Sequence, residues 1–286
     1  MITCNLMGGL GNQLFQIFAT IVYGMKSKNK FQFLELESLG SGCTTIRPTY
    51  WNSIFSNLKS NLKTFLIKEL PQPIHIMGEK DFTFNELNVN EMINKDILLY
   101  GYFQSYKYFE EYYDVIYRIL GLEKMKNLVL ENIGIQKNNL KNCISMHFRI
   151  GDYKKIQHVH PLATQNYYQE ALKFIQEKNP DTPYTIYYFC EDQDIEDVIP
   201  IIRELSLFYS LYRFEKGTKQ LSDWEQLLFM SCCNHNIIAN STFSWWAAYF
   251  NSWEDKIVCY PSVWFGPSAD HNTMDLCPES WNKISV

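Results

Sequence analysis

Short apolar runs alternate with segments of helical periodicity along almost the whole chain. Short apolar runs bounded by turn residues predict buried strands, and apolar residues every three or four positions predict helices. The predicted strands are 1–6, 30–37, 96–103, 142–150, 184–191, 207–214, 235–240 and 256–261. The predicted helices are 11–28, 105–122, 165–178, 194–204, 223–234 and 243–251. This alternation is typical of α/β folds.

The segment 121–140 interrupts the alternation, because it is rich in Lys and Asn and loses the aromatic density of its surroundings. We interpret it as a polar linker. The sequence therefore predicts two domains, 1–135 and 136–286, each Rossmann-like, with a cleft between them.

Composition narrows the choice of partner. The 286 residues carry a formal net charge of -5, which argues against nucleic acid or an anionic membrane as the main partner. An anionic ligand would need a local cluster of positive groups. The aromatic share of 16% favours aromatic-lined ligand sites, although core packing alone would use many of these rings.

The lack of a recognisable targeting signal and the pattern of the cysteines favour a cytoplasmic protein. The N-terminal residues lack the basic and apolar regions of a signal peptide, and no apolar run is long enough to span a bilayer. The eight cysteines include no CxxC pair, so we expect reduced thiols. Neither "HVH" (158–160) nor "CCNH" (232–235) has a second ligand pair at zinc spacing.

The motif "HFRIGDY" (147–153) lies at the carboxyl end of a predicted strand, where α/β sheets bind ligands. The strand period of two places His147 and Arg149 on one face. A guanidinium there would bind a phosphate through two parallel hydrogen bonds. The alternative is a strand end that merely carries surface charge.

A second polar cluster, "NSTFS" (240–244), follows the apolar strand 235–240 and enters a helix. Its hydroxyls and the N–H groups of the first helical turn are suited to a pyrophosphate. Ordinary helix capping explains any one Ser or Thr, but four polar residues in five positions exceed what one cap needs.

The loop "GGLGNQLFQ" (8–16) joins the first predicted strand and helix, but it lacks the spacing of the dinucleotide fingerprint. Its glycines would let the backbone approach a ligand, with Asn12 and Gln13 as amide donors at a helix N-terminus. A tight strand-to-helix turn is the other interpretation.

The acidic run 191–197 has two interpretations. Asp192 and Asp194 form a DxD, a spacing that metal-dependent glycosyltransferases use to hold Mn²⁺ against a diphosphate. Alternatively, Asp192 contacts a nucleotide, and the remaining acidic residues open a helix. The two-domain pattern and Arg149 favour the second interpretation.

Four motifs together resemble the α-1,2-fucosyltransferases of glycosyltransferase family 11, bacterial type. They are "GGLGNQLFQ", "GYFQSYKYF", "HFRIGDY" and "NSTFSWWAAY", and they span nearly the whole chain in the same order. The resemblance implies a GT-B fold, with an acceptor domain at 1–135 and a domain at 136–286 that binds GDP-β-L-fucose. It also implies transfer of L-fucose with inversion to O2 of a terminal galactose, as in O-antigen or blood-group-H-like glycans, and no required metal or other cofactor.

The resemblance also assigns roles to residues. Arg149 would bind the β-phosphate of the donor, and His147 would hold the sugar or phosphate beside it. Asp192 would contact guanosine, and Asn12 would reach across the cleft to the donor. The predicted donor-binding residues are Gly11, Asn12, Gln13, Asp192, Ser241, Thr242, Phe243 and Ser244.

Inverting transfer needs a base or a strongly dissociative transition state. Asp152 is the candidate base, although it would equally cap the next segment or orient Arg149. Two other functions remain open: a metal-dependent transferase centred on Asp192 and Asp194, and a non-catalytic module that binds a nucleotide sugar or a glycan. No motif in 37–95 specifies the acceptor, and a lipid-linked acceptor would bring the protein to the inner face of the membrane.

Overall fold

The computed structural model describes residues 1–40, 46–61, 65–217 and 220–286. The chain forms two compact units. The first comprises Met1–Met125 and Asn272–Pro278, and the second comprises Lys126–His271 and Glu279–Val286. The chain thus enters the second unit ten residues before the predicted 135/136 boundary, and a short later segment returns to the first unit.

Eight α-helices lie in the described ranges. They are α1 (Leu10–Lys26), α2 (Ser56–Asn61), α3 (Tyr113–Leu120), α4 (Leu122–Asn132), α5 (Gln165–Lys178), α6 (Ile195–Phe208), α7 (Asp223–Met230) and α8 (Thr242–Phe250). No helix among the described residues is long and apolar enough to cross a membrane.

The first unit is built around a small parallel sheet. Strands β1 (Ile2–Cys4), β6 (His75–Gly78) and β7 (Ile97–Tyr100) pair in the order β1-β7-β6. Four shorter strands, β2 (Phe33–Leu34), β3 (Ser38–Leu39), β4 (Arg47–Pro48) and β5 (Leu66–Ile67), form a parallel pair, β2-β5, and an antiparallel pair, β3-β4. Helix α1 follows β1 directly and is buried over most of its length.

The second unit contains a six-stranded, wholly parallel sheet. Its strands are β8 (Cys143–His147), β9 (Thr185–Phe189), β10 (Arg213–Lys216), β11 (His235–Ile237), β12 (Val258–Pro261) and β13 (Asn282–Ile284). They lie in the order β10-β9-β8-β11-β12-β13, which is the strand order of the Rossmann sheet. Every residue of β8 is buried, as expected of a central parallel strand covered on both faces.

The predicted α/β class is confirmed: both units contain a parallel sheet, and the sheet of the second unit has the Rossmann strand order. The division between the units falls within 121–140, as predicted, but the segment is not a polar linker, because most of it is helix α4, which buries Val129 and Leu130. The predicted strand 207–214 is also misplaced, since α6 continues to Phe208 and β10 begins only at Arg213. Apolar runs of this length do not distinguish a strand from a helix end.

Candidate active site

The site residues of the second unit follow β8 and β11, the two neighbouring strands at which the strand order reverses. The chain continues from β8 to β9 on one side, while β11 is followed by β12 on the other. A crevice opens outside the carboxyl ends of parallel strands at such a reversal, and α/β sheets bind ligands there. The segments 148–153 and 238–244, which leave these two ends, contain most of the residues predicted from the sequence.

Arg149 lies just beyond the end of β8, and its guanidinium is held on three sides. One terminal nitrogen, Nη2, donates to Asp152, and the other, Nη1, donates to Glu191. The ring of Tyr153 lies beside the guanidinium, 4.9 Å from Cζ to the ring centroid. Burial opposes the charge, but the surrounding acidic groups outweigh it and raise the pKa of Arg149. The side chain is 17% exposed, so a fixed positive charge faces the solvent at this strand end.

The turn that carries Arg149 is fixed by a buried carboxylate. The backbone N–H of Gly151 donates to Asp194 at 2.8 Å. Gly151 has a φ of +32°, in the left-handed region where a side chain is strained. Asp194 therefore determines the path of the chain between Arg149 and Asp152.

His147 is the last residue of β8 and is almost fully buried. The hydroxyl of Tyr168 donates to its backbone carbonyl at 3.0 Å, and its ring lies 5.5 Å from the ring of Phe243. Burial, helped by the charge of Arg149, lowers the pKa of His147 to about 3, so the imidazole is neutral at neutral pH. Its Nδ1 is buried and has no hydrogen-bond partner, which leaves one polar atom for a ligand.

The N-terminus of α8 forms the other side of this site. Ser241 is the N-cap in extended conformation, but its side chain makes no capping hydrogen bond. The Ser244 hydroxyl is fully buried and donates to the Ser241 carbonyl at 3.3 Å. Thr242 and Phe243 are partly exposed at the first turn. Of the predicted residues 241–244, Ser241 and Ser244 are thus buried at the helix start, while Thr242 and Phe243 lie nearer its surface.

Two aromatic side chains near Arg149 carried no separate prediction. The rings of Tyr153 and His160 stack at 4.6 Å between centroids, and the Tyr153 hydroxyl donates to the Asn240 carbonyl at 3.4 Å. Tyr153 thus connects the arginine turn to the segment before α8. His160, which sequence patterns suggest is an ordinary loop residue, has a buried Nδ1 without a partner, and burial lowers its pKa.

The DxD carboxylates have different surroundings. Asp192 is 73% exposed and pairs with Lys216 at 2.5 Å, whereas Asp194 is 3% exposed and bonds to Gly151. Within the described ranges, no group of three or more His, Cys, Asp or Glu side chains is arranged to hold a metal ion. The geometry gives Asp194 a structural role in the arginine turn and leaves Asp192 at the surface near the site.

In the first unit, too, one predicted loop residue is buried and has a structural role, while another is partly exposed. Gln13 is fully buried, and its amide nitrogen donates to the carbonyls of Gly8 at 3.1 Å and Pro48 at 2.9 Å, so it fixes the loop. Asn12 is partly exposed and accepts from Gln104 at 3.1 Å. Gly11 lies buried in the first turn of α1. Donor binding by these residues stays a prediction.

The fold and this site define an α/β protein whose arginine lies at the switch point of a Rossmann sheet. The family model for glycosyl transferase family 11 matches residues 1–265. The chain belongs to this family, and it is a glycosyltransferase.

Three curated relatives align over nearly the whole chain. An alpha-1,2-colitosyltransferase of Escherichia coli is 26% identical, and the alignment covers 99% of both proteins. The O-antigen biosynthesis glycosyltransferase WbnK of Escherichia coli is 25% identical, over 99% of this chain and 100% of the relative. A galactoside 2-alpha-L-fucosyltransferase of Caenorhabditis elegans is 24% identical, over 100% of this chain and 79% of the relative.

Proposed function

We propose that this protein is an inverting galactoside α-1,2-fucosyltransferase that moves L-fucose from GDP-β-L-fucose to O2 of a terminal galactose. The observation that carries this proposal is the position of Arg149, a guanidinium oriented by two carboxylates at the switch point of the six-stranded sheet. Family membership supports it, as do relatives named for α-1,2 transfer and for fucosyl transfer.

The central electrostatic task in this reaction is to stabilise the departing GDP. Negative charge grows on the β-phosphate as the bond to the sugar breaks, and preorganised donors lower the barrier most where charge develops. In the proposed complex, Arg149 donates to the β-phosphate through its two terminal nitrogens. The first turn of α8, with Ser241 and Thr242, would add N–H and hydroxyl donors to the diphosphate.

His147 would contribute as a neutral hydrogen-bonding group. A charged imidazole beside Arg149 would be repelled, and the lowered pKa of His147 keeps it neutral. Its unpartnered Nδ1 would bond to the sugar or to a phosphate oxygen. Asp152 remains the candidate base, and its contact with Arg149 also supports a role in orienting the guanidinium.

The remaining predicted roles belong to the same proposal. The second unit would bind the donor, with Asp192 near the guanosine, and the first unit would bind the acceptor, with Asn12 and Gly11 contributing to the donor. A relative named for O-antigen biosynthesis supports an acceptor of the O-antigen type.

The identity of the donor sugar is tested by competition. Colitose is L-fucose without its 3-hydroxyl, so GDP-fucose and GDP-colitose differ by one polar group. We expect the enzyme to prefer GDP-fucose by at least tenfold in kcat/KM, since a site built to bond a hydroxyl rejects an analogue that lacks it. A preference for GDP-colitose would reassign the donor and leave the transfer chemistry intact.

We further propose that transfer requires no metal. Turnover with GDP-fucose is expected to be the same with and without EDTA. Loss of turnover in EDTA, restored by Mn²⁺, would instead support the metal-dependent interpretation of Asp192 and Asp194.

A further inference from the structure

Both terminal nitrogens of Arg149 contact carboxylates that come from different parts of the second unit. Asp152 lies three residues further along the same turn, whereas Glu191 lies 42 residues away, in the segment after β9. A guanidinium presents its donors in a rigid planar fork, so these two contacts define how it is oriented.

A diphosphate bound to Arg149 would lie next to the two carboxylates, each of which already occupies one of the five N–H donors of the guanidinium. Bidentate binding of a phosphate uses two parallel N–H groups, and a carboxylate left beside the phosphate repels it. Charge repulsion therefore favours displacement of at least one carboxylate when a diphosphate binds to Arg149.

Glu191 is better placed to move than Asp152. Both side chains are about half exposed, 48% for Glu191 and 52% for Asp152, so the difference lies in how each is anchored. The second oxygen of Glu191 accepts from the exposed Gln193 at 2.7 Å, a partner that can move with it. Asp152 belongs to the turn that Gly151 and Asp194 fix, and its contact with Arg149 spans only three residues. The pair between Arg149 and Glu191 is thus the one that a ligand can separate without disturbing the turn.

We propose that Glu191 is a positioning residue that holds Arg149 in its binding orientation before the donor arrives and is then displaced by the diphosphate. The inference deepens the proposed function and rests on it only for the identity of the nucleotide. It assigns Glu191 two opposing effects, because its hydrogen bond preorganises the guanidinium while its charge competes with the ligand.

Two substitutions separate these effects. Glu191→Gln removes the charge and keeps a hydrogen-bond acceptor, so we expect about tenfold tighter binding of GDP. Glu191→Ala also removes the acceptor, so we expect a smaller gain. In turnover, Glu191→Gln should lower KM for GDP-fucose with little change in kcat, a split that a merely structural residue would not produce.

The test is isothermal titration calorimetry of the full chain with GDP and, separately, with inorganic pyrophosphate. The matched control is Glu196→Gln, which removes the same charge from an exposed position on α6 and should change either affinity by less than about twofold. Thermal unfolding of each variant checks that it is folded.

The proposal is supported if Glu191→Gln tightens binding of GDP and pyrophosphate while Glu196→Gln does not. It is overturned if Glu191→Gln leaves both affinities unchanged, or weakens them, which would make Glu191 a direct ligand contact. Binding of pyrophosphate without GDP would contradict the proposed function and still test Glu191 through pyrophosphate. A wild-type protein that binds neither would overturn both.

Discussion

The carboxylate of Asp194 accepts a hydrogen bond from the backbone N–H of Gly151 at 2.8 Å. This contact joins the acidic run after β9 to the turn that carries Arg149. Asp194, the second carboxylate of the DxD, therefore has a structural role that needs no metal. It holds the turn that contains Arg149.

The turn at Gly151 should be sensitive to a single methyl group. Gly151 has a φ of +32°, and a Cβ there would lie 3.4 Å from Glu191 Oε1 and 3.6 Å from Arg149 Nη1. These are ordinary van der Waals distances, so the effect comes from the backbone: Gly151→Ala would strain it by about 1–2 kcal/mol, and relief of that strain would move the turn that contains Arg149. We expect kcat to fall about tenfold.

The control for this substitution is Gly134→Ala. Gly134 also has a positive φ, +71°, but no atom lies within 4 Å of its added Cβ. Both variants should lose comparable stability in urea unfolding, and only Gly151→Ala should lose activity. Equal activities of the two variants would contradict the role given to the turn.

Arg149→Lys should nearly abolish turnover. Lysine keeps the charge but lacks the planar fork that binds a phosphate bidentately, so transition-state stabilisation is lost. We expect kcat to fall about 10²- to 10³-fold in a GDP-release assay. Arg213→Lys, at a side chain that is 78% exposed, is the matched control and should retain full turnover. An Arg149→Lys variant with more than half of wild-type turnover would remove the basis of the mechanism.

The buried His235 should make the stability of the folded protein depend on pH. Ile257 N–H donates to its Nδ1 at 3.1 Å, and Nε2 bonds to the Tyr184 hydroxyl at 2.9 Å, so the neutral ring fits the core. Burial lowers the pKa of His235 to about 4, although Asp255 partly opposes this. The unfolded chain, with a pKa near 6.5, binds the proton more readily, so stability is present above pH 6.5 and falls toward pH 4.

Urea unfolding at pH 7.5 and pH 5.0 measures this effect. His235 should account for about 2 kcal/mol of the wild-type loss, and a His235→Gln variant should lack that part. The exposed His75 gives the control, since His75→Gln should keep the wild-type loss. An unchanged pH dependence in His235→Gln would show that another group dominates.

Local sequence patterns predicted the elements that carry the second-unit site. Helix α5 begins and ends where periodicity placed it, because Thr164 caps it by accepting from the Tyr167 N–H and the apolar stripe is regular. The strand leading to Arg149 is fully buried, and its apolar composition indicated as much. In both cases the residues of the element and its immediate neighbours are enough to predict the element.

The partners of Arg149 depend on contacts that neighbouring residues do not reveal. The sequence suggested Asp152 as one partner, but Glu191 and Asp194 reach the turn from more than 40 residues away, through the pairing of β8 with β9. The acidic run suggested a metal site because spacing alone does not show which carboxylate is buried. Helix α4 was likewise missed, because its exposed Lys and Asn positions resemble those of a linker.

The most direct test of the account is the product formed from GDP-fucose and lactose or N-acetyllactosamine. The purified protein is incubated with both substrates, and the linkage and anomeric configuration of the product are determined by NMR. The account predicts an α-linked fucose on O2 of galactose, with one GDP released per transfer. An attachment to any other oxygen, or a retained β configuration, would contradict it.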